Sequence, residues 1–219
     1  MRTGMSAGSG LTERWERKMG IATCAGDYEK EDAHHSRYEP TDYAVLERLA
    51  DSGYIKKRHV LVDYGCGKGR VGFFLNHRLS CRTVGVEYNP ELYEEALKNL
   101  SGYAARGRKG GVSFVCEDAE TFRPEEGNCF YFFNPFSVKI LRSVLERIYE
   151  SYYSRPREIY LFFYYPLDEY LSCLMHEDGL CYVDEIDCRD LFDTNDSRER
   201  ILIFSMAHEF RLEDYFGIE

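Results

Sequence analysis

No apolar run in this 219-residue chain reaches the roughly 18 residues that span a bilayer, so no membrane-crossing helix is expected. Met1 to Gly10 is rich in glycine and serine and lacks the apolar stretch of a secretory signal. It reads as a mobile tail on a cytoplasmic protein. Positive charge is scarce: 28 Lys and Arg against 38 Asp and Glu leave a net charge of -10. The overall field therefore does not attract nucleic acid, although a local basic patch could still do so. Arg106-Gly107-Arg108-Lys109 is the one dense basic cluster, and it reads as a solvated loop. The eight cysteines contain no Cys-x-x-Cys pair. Cys173, Cys181 and Cys188 are too far apart and too irregular for zinc. Cys116, Cys129 and Cys181 sit in strand-like runs, so the cysteines read as reduced, buried small side chains. His34-His35 has no partner motif and reads as a surface pair. No Ser/His/Asp arrangement is evident, and His176 and His208 fall far from any expected site. There is no internal repeat and no linker.

What is present is enough for one sizeable core: 44% apolar and 15% aromatic residues. Residues 11–37 are polar, with weak helical periodicity around Trp15, and read with the tail as an N-terminal extension (1–37) before a single domain (38–219). The Pro-bearing turn Tyr38 to Tyr43 offers Thr41 or Asp42 as the cap of a helix from Tyr43 to Ala50. Strand and helix patterns then alternate. Strands are expected at His59–Tyr64, Thr83–Glu87, Val112–Cys116, Cys129–Phe133, Glu158–Tyr164, Cys181–Asp187 and Arg200–Met206. Helices are expected to about Arg78, at Glu91–Leu100 with Pro90 in the favoured first turn, at Ser137–Tyr153 and at Leu167–His176. The near-continuous apolar strands suit a parallel sheet covered on both faces. The last two strands, joined only by the loop Cys188 to Glu199, read as an antiparallel edge. The fold class is α/β: a Rossmann-like, doubly wound, seven-stranded sheet with helices on both faces.

Val60-Leu61-Val62-Asp63-Tyr64-Gly65-Cys66-Gly67-Lys68-Gly69 is a strand, a tight turn and a helix start, with glycines that let the backbone come close to a ligand. A P-loop needs Ser or Thr after Gly-Lys, and Gly69 stands there instead. An NAD site needs Gly-x-Gly-x-x-Gly, which Gly67, Gly69 and Gly72 match two residues late, with Glu87 for the ribose. The third reading is S-adenosylmethionine, whose amino-acid end carries an ammonium and calls for an acid at the turn. Asp63 stands two residues before Gly65. Glu87 closes the second strand, and Asp118 follows the third. Each acid alone could be a solvated loop residue or a helix cap. Three at successive strand ends are more specific than the glycines.

With Val84-Gly85-Val86-Glu87, Cys116-Glu117-Asp118-Ala119 and Asn134-Pro135-Phe136, this stretch resembles the class I S-adenosylmethionine-dependent methyltransferases from about Tyr38 to Met206. The resemblance implies that Asp63, Gly65, Cys66, Gly67 and Gly69 hold the methionine part, Glu87 the ribose and Asp118 the adenine. It also implies that Tyr88 and Ala119 flank the adenine ring and that a loop bearing Tyr38 and Thr41 lies over the cofactor.

Asn134-Pro135-Phe136 ends the fourth strand, where this fold faces the cofactor methyl. An Asn oxygen and a neighbouring carbonyl can accept hydrogens from an amine and turn its lone pair toward the methyl, and an aromatic ring can pack on the substrate. The triplet resembles the Asn-Pro-Pro-Tyr/Phe motif of amino-group methyltransferases, with one proline where that motif has two. Asn-Pro is also a common turn initiator, and Phe136 can equally be core. Asn134, Pro135 and Phe136 are therefore the expected catalytic residues, with Asn134 also beside the cofactor. The acceptor is expected to be an amine of a protein or small molecule. An RNA or DNA base methyltransferase, an NAD-dependent oxidoreductase and a non-catalytic cofactor-binding subunit stand as alternatives. Tyr164-Tyr165-Pro166 is a second candidate lining for the substrate.

Overall fold

A computed structural model describes residues 8–24, 38–107 and 110–206. In chain order the elements are α1 (Gly8–Met19), α2 (Tyr43–Asp51), β1 (Val60–Tyr64), α3 (Arg70–Leu79), β2 (Arg82–Glu87), α4 (Pro90–Ala105) and β3 (Val112–Cys116). They continue with β4 (Cys129–Phe132), α5 (Val138–Ser154), β5 (Tyr160–Tyr164), α6 (Asp168–Met175), β6 (Leu180–Asp187) and β7 (Arg200–Met206). The seven strands form one sheet in the order β3-β2-β1-β4-β5-β7-β6. β1 to β5 pair in parallel. β7 runs antiparallel between β5 and β6. The strand order reverses beside β1, between its neighbours β2 and β4, and in such sheets that switch point opens a crevice at the carboxyl ends.

Period-two alternation divides the strand residues between two cores. Leu61, Tyr131, Phe162 and Ile203 pack under α1 to α4. Val62, Phe130, Phe163 and Phe204 pack under α5 and α6. Asp63 shares the first face, which places its carboxyl on the side where α3 begins. Asp42 caps α2 by accepting from Ala44 N at 2.8 Å. Asn89 caps α4 through Glu91 N, with Pro90 in the first turn.

α1, within the expected N-terminal extension, packs against the domain. Gly8 to Gly10, expected in a mobile tail, begin α1. Trp15 is 2% exposed, stands edge-on to Phe74 with ring centres 5.0 Å apart, and donates its indole N–H to Glu47 at 2.9 Å. The expected boundary at residue 37 falls outside the described residues, as do His34, His35, Arg108, Lys109 and His208. All eight cysteines are free; five are buried, while Cys24, Cys116 and Cys181 are exposed, against the expectation of burial. No helix among the described residues is long and apolar enough to cross a membrane.

Candidate active site

β1 ends one residue before a turn that only glycine makes without strain. Gly65, Gly67 and Gly69 have φ of 70°, 53° and 88°. Gly65 N and Cys66 N both donate to Val86 O, which ties the turn to the end of β2, and Gly69 N donates back to Cys66 O. Close approach compounds the requirement. A Cβ on Gly65 would fall 2.4 Å from Pro135, and one on Gly67 would fall 2.1 Å from the Tyr38 ring. Tyr38 thus lies directly on the turn, and Pro135 closes it from β4.

Two acids meet at this turn. Glu87 is buried, and its carboxylate accepts from Gly67 N at 2.7 Å and from Asn89 N at 2.8 Å. Asp63 is 3% exposed, and its Oδ2 has no hydrogen-bond partner among the described residues. Burial, and then repulsion from Glu87, push the Asp63 carboxyl well above the usual carboxylate range. A buried acceptor left unsatisfied carries a desolvation penalty that an incoming cation would remove. This pair fits the ammonium end of S-adenosylmethionine. A pyrophosphate would instead repel the Glu87 carboxylate and supply no cation to Asp63.

The remaining expected residues divide. Asp118 follows β3, partly buried, and accepts from Glu120 N at 2.9 Å through one carboxylate oxygen. Ala119 is half-buried against the second core, and Tyr88 is 53% exposed beside Glu87. Three of the expected residues turn their side chains into the fold. Thr41 is buried, with its hydroxyl paired to Tyr131 Oη at 3.0 Å and its carbonyl taken by Arg70, so its side chain serves the core. Phe136 is 6% exposed, edge-on to Tyr64 and Phe132, with its carbonyl accepting from Tyr170 at 2.5 Å. The turn at Pro135 carries that ring into the second core. Cys66 likewise turns its thiol inward against β2, where a Cβ on Gly85 would fall 2.6 Å from the sulfur.

Asn134 itself stands at the carboxyl end of β4 with φ of 41°, a left-handed conformation that Asn tolerates better than most residues. Its Nδ2 donates to Tyr165 O at 2.6 Å. Tyr165, at the end of β5, is also left-handed, with φ of 51°. Its hydroxyl donates to Asp196 at 2.6 Å, and the Arg198 guanidinium lies 4.6 Å from its ring centre. Two adjacent strands therefore end in strained residues joined to each other, an arrangement that clusters at functional sites. His176 lies on the surface, bonded to its own helix at Ser172 O.

Sequence reasoning overlooked Arg70, Thr23 and Glu16, which fasten the N-terminal segment beside the turn. One signal was legible: Arg70 puts a cation on the first residue of α3, the end of a helix dipole that favours anions.

Comparisons with known proteins bear on the domain and the fold. Residues 61–153 match the family model described as a methyltransferase domain. Over 75 residues the chain is 32% identical to a protein-lysine N-methyltransferase of Saccharolobus islandicus, covering 34% of this chain and 47% of that protein. Over 74 residues it is 36% identical to the H3 lysine-79 specific histone-lysine N-methyltransferase of Dictyostelium discoideum, covering 34% of this chain and 4% of that one. The matches thus span less than half the length of these curated relatives. Among solved structures, a candidate RNA methyltransferase from Pyrococcus horikoshii superposes with a TM-score of 0.60 at 16% identity. That match covers 90% of this chain and 99% of that one. At that identity the likeness speaks for the fold alone.

Proposed function

We propose that this chain, which carries the fold and domain signature of the class I S-adenosylmethionine-dependent methyltransferases, moves a methyl group from that cofactor to an amine nitrogen of a protein or small molecule. The observation that carries the cofactor half is the buried Asp63 carboxyl beside the glycine turn, with Glu87 next to it. Asp63 would hold the cofactor ammonium, Glu87 the ribose hydroxyls and Asp118 the adenine amine. When bound, S-adenosylmethionine supplies a methyl on a positively charged sulfur that a nitrogen lone pair can displace. Asn134 would fix the direction of attack. Its amide nitrogen is committed to Tyr165 O, so its oxygen is the end that accepts hydrogens from the amine. Positioning of this kind supplies much of the rate in a displacement reaction. Tyr165 would stand in for Phe136 at the acceptor side: its backbone carbonyl holds Asn134, whereas the Phe136 ring is buried in the second core.

The amine acceptor is supported by Asn134 and by the two curated relatives named as lysine N-methyltransferases. The net charge of -10 suits a basic protein better than a nucleic acid. The test is transfer of labelled methyl from S-adenosylmethionine, offered in parallel to a lysine-rich protein mixture, a set of primary amines and total RNA. Label in protein or amine is expected. Label confined to RNA would sink the acceptor reading, and binding of NAD without S-adenosylmethionine would sink the cofactor reading.

A further inference from the structure

The segment of residues 21–24 precedes the matched domain by more than thirty positions in sequence, yet it lies against the glycine turn. Thr23 is its centre and is fully buried. The Thr23 hydroxyl donates to Glu16 Oε1 at 2.7 Å and accepts from Arg70 Nε at 2.7 Å. Its backbone N–H donates to the same Glu16 oxygen at 2.8 Å. Its carbonyl accepts from the Tyr38 hydroxyl at 2.6 Å. The Arg70 guanidinium also reaches Thr41 O at 3.1 Å and Glu16 at 3.4 Å, and it lies 4.6 Å from the centre of the Tyr43 ring. On either side, Lys68 Nζ donates to Cys24 O at 2.9 Å, and Asn99 brackets Ala22 through both of its backbone groups.

These contacts form one path: Glu16 and Arg70 grip the Thr23 hydroxyl, the Thr23 carbonyl holds Tyr38, and the Tyr38 ring covers Gly67. Arg70 is a costly residue for mere packing. It is a buried cation at the wrong end of a helix dipole, balanced by one acid across the segment. The guanidinium reaches Thr23, Thr41 and Glu16 from three different nitrogens held in one plane, whereas an ammonium would have to serve all three acceptors from a single nitrogen on a shorter reach.

We propose that Thr23 and Arg70 are positioning residues for the cofactor: they preset Tyr38 as a wall of the methionine end of the site, using a segment outside the matched domain. The inference rests on the reading of the glycine turn as the cofactor site. A preset wall spares the ordering that binding would otherwise require, so its loss appears as weaker binding.

The probe is S-adenosylhomocysteine, measured by calorimetry on the full chain. Thr23→Val keeps the shape and removes the hydroxyl. It should raise the dissociation constant by about tenfold or more, the scale of a lost charged hydrogen bond. Thr23→Ser, which keeps the hydroxyl, should restore it to within about threefold of the parent. The rise in melting midpoint on adding saturating ligand should shrink in Thr23→Val and recover in Thr23→Ser, whatever the starting midpoint. If Thr23→Val does not fold, Arg70→Lys takes its place, with the same loss expected because the charge remains and the fork is gone. Unchanged affinity in the folded variant, or equal loss in Thr23→Val and Thr23→Ser, overturns the proposal. A parent chain that binds no S-adenosylhomocysteine overturns the cofactor reading itself.

Discussion

Asp63 couples the chemistry of the site to pH. Burial and Glu87 raise its pKa in the folded chain above the ordinary 3.8, so the folded state keeps a proton that the unfolded state has lost. Its contribution to stability is therefore greatest in acid and falls as pH rises from 3.8 toward the raised value. Binding a cationic ammonium reverses the preference and expels the proton. S-adenosylhomocysteine should bind more tightly as pH rises through the raised pKa, a trend to be followed by calorimetry across a pH series. Asp63→Asn should flatten that dependence and weaken binding by about tenfold or more. It should also raise the melting midpoint of the free protein at neutral pH, because no buried charge is then formed. A lower midpoint would mean that the Asp63 carboxyl stabilises the free protein and would overturn this reading. The acid itself was legible from its place before the glycines. Its lack of a partner was not, because that depends on what surrounds it in space.

The ends of β4 and β5 act together. Asn134 and Tyr165 are the left-handed residues that turn the chain away from two neighbouring parallel strands, and one hydrogen bond ties them. Asn134→Ala should lower turnover by roughly a hundredfold, the scale of a misplaced reactant, while cofactor affinity changes little. Asn134→Gly keeps the backbone conformation at no strain and should be as inactive. Recovery of turnover in the glycine variant would assign the role to the backbone alone. At this scale the sequence was legible where hydrophobic period carries the signal. β3 and β7 have the expected bounds, and the other strands differ by at most two residues at either end. Phe136 was misplaced because adjacency to Asn134 in the chain says nothing about direction. Pro135, packed on Gly65, turns the next residue under Tyr64 and Phe132.

For the molecule as a whole, α1 and residues 21–24 complete the first core and the wall of the site. Trp15→Ala should cost roughly 3–5 kcal/mol. For a chain of this size that is a fall of about ten degrees in melting midpoint, read by calorimetry or circular dichroism. A shift of only a degree or two would restore the view of residues 1–37 as a dispensable extension. Polar composition concealed this role. Trp15 is a lone aromatic in a charged helix, and the apolar surface it covers, on Phe74, lies more than fifty positions away.

The sequence by itself determined the alternation of strand and helix, the parallel sheet with its antiparallel edge, the glycine turn and the acids at successive strand ends. These are local: they follow from periodicity, from capping and from the backbone angles that glycine alone allows without strain. Only the tertiary structure decided which residues share the site. Thr23 and Arg70 are 47 positions apart, and Asn134 and Tyr165 are 31 apart. Hydrogen bonds at such separations leave no pattern along the chain, because the folded sheet, rather than sequence order, brings the partners together.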